Sequence, residues 1–193
     1  MYEMNTKIKF GLSGDIASFS EEAALAYAKK AQIDMEPFYL MDMEGVLAAL
    51  ENQEIDLGIF PVMNLTGGLV NVAFEAMGKH LFQPVDELWL DVQQCLITLP
   101  GKQKEDIQSI VSHSQGLAQC QHYLAHHFSH IAQMEWIDTA KAAKDLSENK
   151  LSADTAVIAS ARAAEYYGLS IFERAIQDAQ PNHTIFVIVA PLR

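Results

Sequence analysis

Short apolar runs alternate with alanine-rich stretches of helical period along almost the whole chain. Residues 7–11, 107–111, 134–137, 155–159 and 184–189 read as short apolar strands. Residues 56–60 read as a buried strand that Pro61 ends, and 37–40 are extended. Residues 85–99 form a long strand region with imperfect alternation. Period and alanine content predict helices over 20–31, 43–52, 67–80, 115–128, 139–149 and 160–167, the first with Ser20 as N-cap. No linker, low-complexity tract or internal repeat interrupts the pattern.

Strands alternating with helices predict an α/β architecture with mainly parallel sheets. In such sheets ligands bind at the carboxyl ends of strands, against helix N-termini. Three polar segments fall there: P-V-M-N-L-T-G-G-L-V from Pro61, S-H-S-Q-G-L-A-Q-C from Ser112 to Cys120, and Asp138-Thr139. The second sets hydroxyl, imidazole and free backbone N–H groups at a strand-to-helix junction, a chemistry that suits anions.

Composition narrows the function. With 193 residues the chain can bury a substantial core, as one unit or two small lobes. A net charge of −12 without clustered Lys and Arg argues against a nucleic-acid partner, and a dianionic ligand would need local donors. No run reaches the length of a membrane span. Two cysteines, Cys95 and Cys120, are too few for a disulfide scaffold. With no basic-then-apolar leader at the start, they point to buried thiols in a cytoplasmic setting. His122, His126, His127 and His130 include an i, i+4 pair, but no cysteine or suitably placed acid joins them, so a solvated helix end is the reading and no metal is expected. Gly11 to Gly14 is too short for a dinucleotide fingerprint.

Six segments in order resemble the prephenate dehydratase family. Gly11, Gly14 and S-F-S-E-E-A-A from Ser18 look like its glycine-rich opening and T/S-F-S-x-x-A-A. The Pro61 segment resembles P-I-E-N-S-x-x-G-x-V, and Ser112–Cys120 resembles S-H-P-Q-A-L-A-Q-C. Asp138 to Ala143 is similar to S-T-A-x-A-A, and Ala159 to Leu169 to A-S-x-x-A-A-x-x-Y-G-L. I-Q-D from Ile176 and N-H-T-I-F from Asn182 resemble I-Q-D…N-x-T-R-F.

The resemblance implies a two-lobe fold like a type 2 periplasmic binding protein, with a cleft between lobes. One lobe would hold residues 1 to about 85 plus 176–193, and the other about 86–175; chains of the family often carry a C-terminal ACT domain, and none is expected in this sequence. It implies a cytoplasmic, homodimeric lyase that turns prephenate into phenylpyruvate, CO2 and water in phenylalanine biosynthesis, without metal or organic cofactor. Thr184 would act on the departing hydroxyl, with Asn64, Ser112 and Gln119 as further catalytic groups. Ser18, His113, Gln115 and Thr139 would bind the dicarboxylate substrate. Met63, Leu65 and Ile185 stand where the family has Glu, Ser and Arg. Each charge so removed is worth on the order of 10²–10³ in rate if it acts in the transition state. A non-aromatising prephenate decarboxylase and a non-catalytic small-molecule binder therefore stay open as alternatives.

Overall fold

The computed structural model describes residues 7–192. In chain order the elements begin β1 (Ile8–Leu12), α1 (Phe19–Ala31), β2 (Met35–Tyr39), α2 (Met43–Glu51), β3 (Leu57–Asn64), β4 (Gly68–Leu69), α3 (Asn71–Met77) and β5 (Phe82–Asp91). They continue β6 (Cys95–Thr98), β7 (Ser109–Ser112), α4 (Ser114–Gln119), α5 (Gln121–His127), β8 (Ala132–Glu135), α6 (Thr139–Ser147), β9 (Thr155–Ala159), α7 (Ala161–Tyr166), β10 (Ser170–Glu173) and β11 (His183–Pro191). A short 3-10 turn, Lys104–Asp106, lies between β6 and β7.

The chain divides into two compact units. The first takes residues 7–15, 19–90 and 183–192 of those described, around a sheet of order β2-β1-β3-β11-β5, with β4 folded back on β3. Both faces of this sheet are covered. Phe10, Leu12, Ile59, Phe186 and Ile188 pack with Ala23, Ala24 and Tyr27 of α1. Phe60 and Val189 pack with Val46, Leu47 and Leu50 of α2 and Ala73 and Ala76 of α3. Burial on both sides explains why β1 and β3 read as nearly continuous apolar runs.

The second unit takes residues 16–18 and 91–182, around a sheet of order β10-β6-β9-β7-β8. Its β9, apolar after Thr155, is buried throughout, with α6 and α7 against one face and α4 and α5 against the other. Residues 16–18 belong here because Ser160 Oγ donates to the Ala17 carbonyl at 3.1 Å and the Tyr167 hydroxyl to that of Ile16.

Several expectations are corrected. The sheets are mixed, since β11 and β4 run antiparallel to β3, and β6 antiparallel to both β9 and β10. Pro61 does not end β3. The register with β11 slips there, leaving Val62 as an extra residue, and a bulge tolerates a residue that cannot donate. The stretch 67–80 is helical only over Asn71–Met77, because Gly68 and Leu69 pair with Asn64 and Met63. Residues 115–128 split at Cys120 into two helices, and 85–99 into β5 and β6. Ser20 lies inside α1 rather than capping it. The segment 176–182 belongs to the second unit, not the first, because Ile176 N–H donates to the Gln94 carbonyl and Asp178 N–H to that of Gln119.

Candidate active site

The first unit sets one tight polar pair. Asn64 closes β3 and Thr184 faces it directly across the antiparallel ladder from β11. Asn64 Oδ1 accepts from the backbone N–H groups of Thr66 and Gly67, at 2.9 and 2.7 Å, in an Asx turn. Only the amide nitrogen can then face β11, and Asn64 Nδ2 donates to Thr184 Oγ1 at 2.9 Å and to the His183 carbonyl at 3.3 Å. Both side chains are buried, Asn64 to 3% exposed and Thr184 to 9%. The turn at Asn64 therefore also fixes which of its side-chain atoms faces Thr184. With its oxygen occupied as an acceptor, Thr184 keeps its O–H hydrogen to give away.

The pleat sends successive side chains to opposite faces, so Met63 and Ile185 lie on the other face from this pair. They oppose each other, and Met63 also opposes Leu69 of β4. An apolar row, Ile185–Met63–Leu69, thus runs beside the polar row Thr184–Asn64–Gly68. Gly68 has φ +80, a conformation glycine adopts without cost.

In the second unit the predicted residues take different parts. Ser112 is fully buried at the end of β7, and its hydroxyl donates to the Ile158 carbonyl at 2.7 Å. Its hydrogen is directed to that carbonyl, inside the protein. Gly116 of α4 makes that placement possible: a Cβ there would stand 2.5 Å from Ser112 Oγ and 3.5 Å from Thr139 Cγ2. Glycine occupies the position where the resembling motif carries alanine. Ser112, Gly116 and half-buried Thr139 are thus brought together. His113 caps α4 through Nδ1, which accepts from the Gln115 N–H at 3.3 Å, while the Gln115 side chain is exposed. Ser18 is buried on the 16–18 segment.

Gln119 sits in a buried amide cluster that sequence reading missed. Its Oε1 accepts from Asn182 Nδ2 at 2.9 Å and from Gln94 Nε2 at 3.1 Å. Gln94 N–H donates in turn to Gln177 Oε1 at 3.0 Å. The only available signal was that Gln177 and Asn182 fall inside the I-Q-D and N-x-T motifs. Cys95 and Cys120 are free and buried, and burial, helped by the nearby Asp178 and Cys95, pushes the Cys120 thiol up to about 12. No group of three metal-ligating side chains occurs among the described residues, and His122, His126 and His127 lie exposed on or beside solvent.

Comparison with known proteins bears on this arrangement. The prephenate dehydratase family model matches residues 10–192. An arogenate dehydratase/prephenate dehydratase of Arabidopsis thaliana is 39% identical over 98% of the chain and 44% of the relative. An arogenate dehydratase of Petunia hybrida is 36% identical over 95% of the chain and 42% of the relative. The chain thus spans under half the length of these curated relatives. Several relatives are described as chloroplastic, which overturns the cytoplasmic setting expected from the sequence: a leader sought in this stretch of chain is no guide to compartment when the relatives are more than twice as long.

Among solved structures, the prephenate dehydratase of Arthrobacter aurescens superposes with TM-score 0.87 at 22% identity, over 96% of the chain and 60% of that protein. GqqA, described as a quorum quenching acylase, reaches 0.78 at 24%, over 97% and 65%. A methionine-binding lipoprotein of Bacillus subtilis reaches 0.54 at 12%, over 96% and 83%. These likenesses show the fold, shared with periplasmic-binding-type proteins, and one fold here carries more than one kind of chemistry. With its motifs in register and the family model covering residues 10–192, the chain belongs to the prephenate dehydratase family.

Proposed function

We propose that the chain is the catalytic module of a carbon–oxygen lyase that converts prephenate to phenylpyruvate, CO2 and water. The ring carboxylate leaves as CO2, its bonding pair aromatises the ring, and the ring hydroxyl departs at the para carbon as hydroxide, which becomes water by taking up one proton from the buffered solvent. The protein must hold the dianion in reactive geometry and stabilise the departing oxygen. The observation that carries this reading is the Asn64 Nδ2–Thr184 Oγ1 bond of 2.9 Å. It turns the threonine into an oriented O–H donor without asking it to ionise. An alcohol is too weak an acid to give up its proton outright, so its part is a hydrogen bond that strengthens as negative charge grows on the leaving oxygen.

The placement of Met63 and Ile185 supports retained activity. Both charges of the family motif are replaced together, by residues that face each other, so neither leaves an unpaired partner. Arogenate is the second candidate substrate, favoured by the names of the relatives. It carries an amino acid side chain in place of the keto acid and would give phenylalanine. A homodimer belongs to the same reading, supported by the exposed Leu69, Val72 and Phe74 on β4 and α3.

Supplying each compound to the purified protein tests the proposal. Phenylpyruvate, seen by its enolate absorbance in base, or phenylalanine, seen by mass spectrometry, identifies the substrate. A dihydro-hydroxyphenylpyruvate with no aromatic product would indicate decarboxylation alone. No product from either compound would reject the lyase reading.

A further inference from the structure

We infer that Asn182 is a positioning residue that locks the amide of Gln119 with its oxygen inward and its nitrogen presented as a donor to bound substrate. The orientation follows from backbone groups, whose donor or acceptor character is fixed. The Val92 carbonyl can only accept, so the Asn182 atom 3.0 Å from it is Nδ2. That nitrogen spends its second hydrogen on the Gln119 side chain at 2.9 Å, which must therefore offer its oxygen. Gln94 Nε2 donates to the same oxygen at 3.1 Å. Reversing Gln119 would set an N–H2 group against two others in a buried place, an arrangement with no hydrogen bond to gain.

Asn182 itself cannot turn away. Its N–H donates to Asp91 Oδ1 at 2.8 Å, and its carbonyl accepts from the Val92 N–H at 2.9 Å. Gln119 is held from its main chain too, by the Asp178 N–H at 2.7 Å. Among the described residues, the side-chain polar atoms both sealed from solvent and without a partner are Gln94 Oε1 and Gln177 Nε2. Gln119 Nε2 is neither sealed nor hydrogen-bonded to a described residue, so both of its hydrogens are available. An oriented amide N–H2 suits a carboxylate or carbonyl oxygen, which prephenate and arogenate both carry. Asn182 touches neither, and acts only through Gln119. This inference rests on the lyase reading for its substrate, but the orientation stands by itself.

Two measurements test it. In Asn182→Asp the carboxylate can no longer donate, and Gln119 gains by turning its N–H2 inward. With prephenate (or arogenate, if that is the compound turned over) KM should rise about tenfold and kcat stay within about twofold, as for loss of one hydrogen bond made equally in ground and transition states. In a Gln119→Ala background Asn182→Asp should add nothing to KM. An equal rise in both backgrounds would overturn the positioning role. Side-chain amide NMR of the wild-type protein reads the orientation without any substrate or variant. The Gln119 N–H2 should exchange with water quickly while those of Asn182 and Gln94 are protected. A protected Gln119 N–H2 would overturn the inference even if the enzyme is active. If neither compound is turned over, the lyase reading fails and the NMR result alone decides the inference.

Discussion

Met63 stands directly across the β3–β11 ladder from Ile185, so the two positions at which the family motif carries opposite charges are neighbours, and both are apolar here. Leu69 of β4 extends the row on the far side of Met63. A charge placed at one position alone would sit half-buried between apolar neighbours, whereas a charge at each would find its partner.

Met63→Glu and Ile185→Arg should therefore each lower stability by about 1–3 kcal/mol. The double variant should lose less than the sum by roughly 0.2–1 kcal/mol, the worth of an opposed pair across two strands. Urea unfolding of the four proteins measures the coupling. Strict additivity would contradict the register.

Ser112 and Gly116 should be coupled too, through a clash relieved instead of an attraction gained. Gly116→Ala drives a Cβ to 2.5 Å from Ser112 Oγ, which must leave the Ile158 carbonyl, at a cost of about 1–3 kcal/mol. In a Ser112→Ala background the nearest atom of residue 112 is the Cβ at 3.5 Å, an ordinary contact. There Gly116→Ala should be neutral or gain up to about 1 kcal/mol from helix propensity. Thermal unfolding of the two singles and the double shows whether the penalty vanishes.

His80 gives the first unit a pH-dependent clamp. Its ring nitrogens bond Glu51 and Glu44, each at 2.8 Å, while Lys79 pairs with Glu44 and the Leu81 N–H donates to Glu51. The bonds to Glu51 and then Glu44 hold the imidazole above its usual 6.5. Bonds from His80 and Lys79 lower Glu44, and those from Leu81 and His80 lower Glu51, from 4.5. The imidazolium's contribution is whole below 6.5 and disappears as pH rises through the raised folded value. The carboxylates' contribution is whole above 4.5 and disappears as pH falls through their lowered folded values. Relative to His80→Gln, the wild-type protein should gain most stability between these limits and lose the advantage in alkali. Chemical unfolding of both at pH 5.5, 7.5 and 9.5 tests this, and a constant difference would contradict it.

Much of the fold was legible because burial repeats in the sequence. The run T-A-V-I-A marks β9 residue for residue, since a strand covered on both faces needs no polar alternation. β10 escaped notice because S-I-F-E is short and polar at both ends, and only its pairing to β6 makes it a strand. Pro61 looked like a stop because the bulge that accommodates it depends on β11, more than a hundred residues later. Asn64 and Thr184 were singled out through motifs, their mutual hydrogen bond appears only in the fold, and the turn at Asn64 could be read locally from N-L-T-G-G. The direction of the Ser112 hydroxyl could not, since it depends on Ile158 across the sheet and on the missing Cβ of Gly116. Nor could the amide cluster, whose members Gln94, Gln119, Gln177 and Asn182 come from three distant stretches and carry no charge to draw the eye.

Prephenate turnover by Thr184→Ala and Thr184→Ser against wild type shows whether the Thr184 hydroxyl, oriented by Asn64, assists the leaving group. With circular dichroism showing all three folded, aromatic product formation should fall on the order of 10²–10³-fold in the alanine variant and by less than about tenfold in the serine variant, which keeps the hydroxyl. Wild-type turnover in Thr184→Ala would contradict the account.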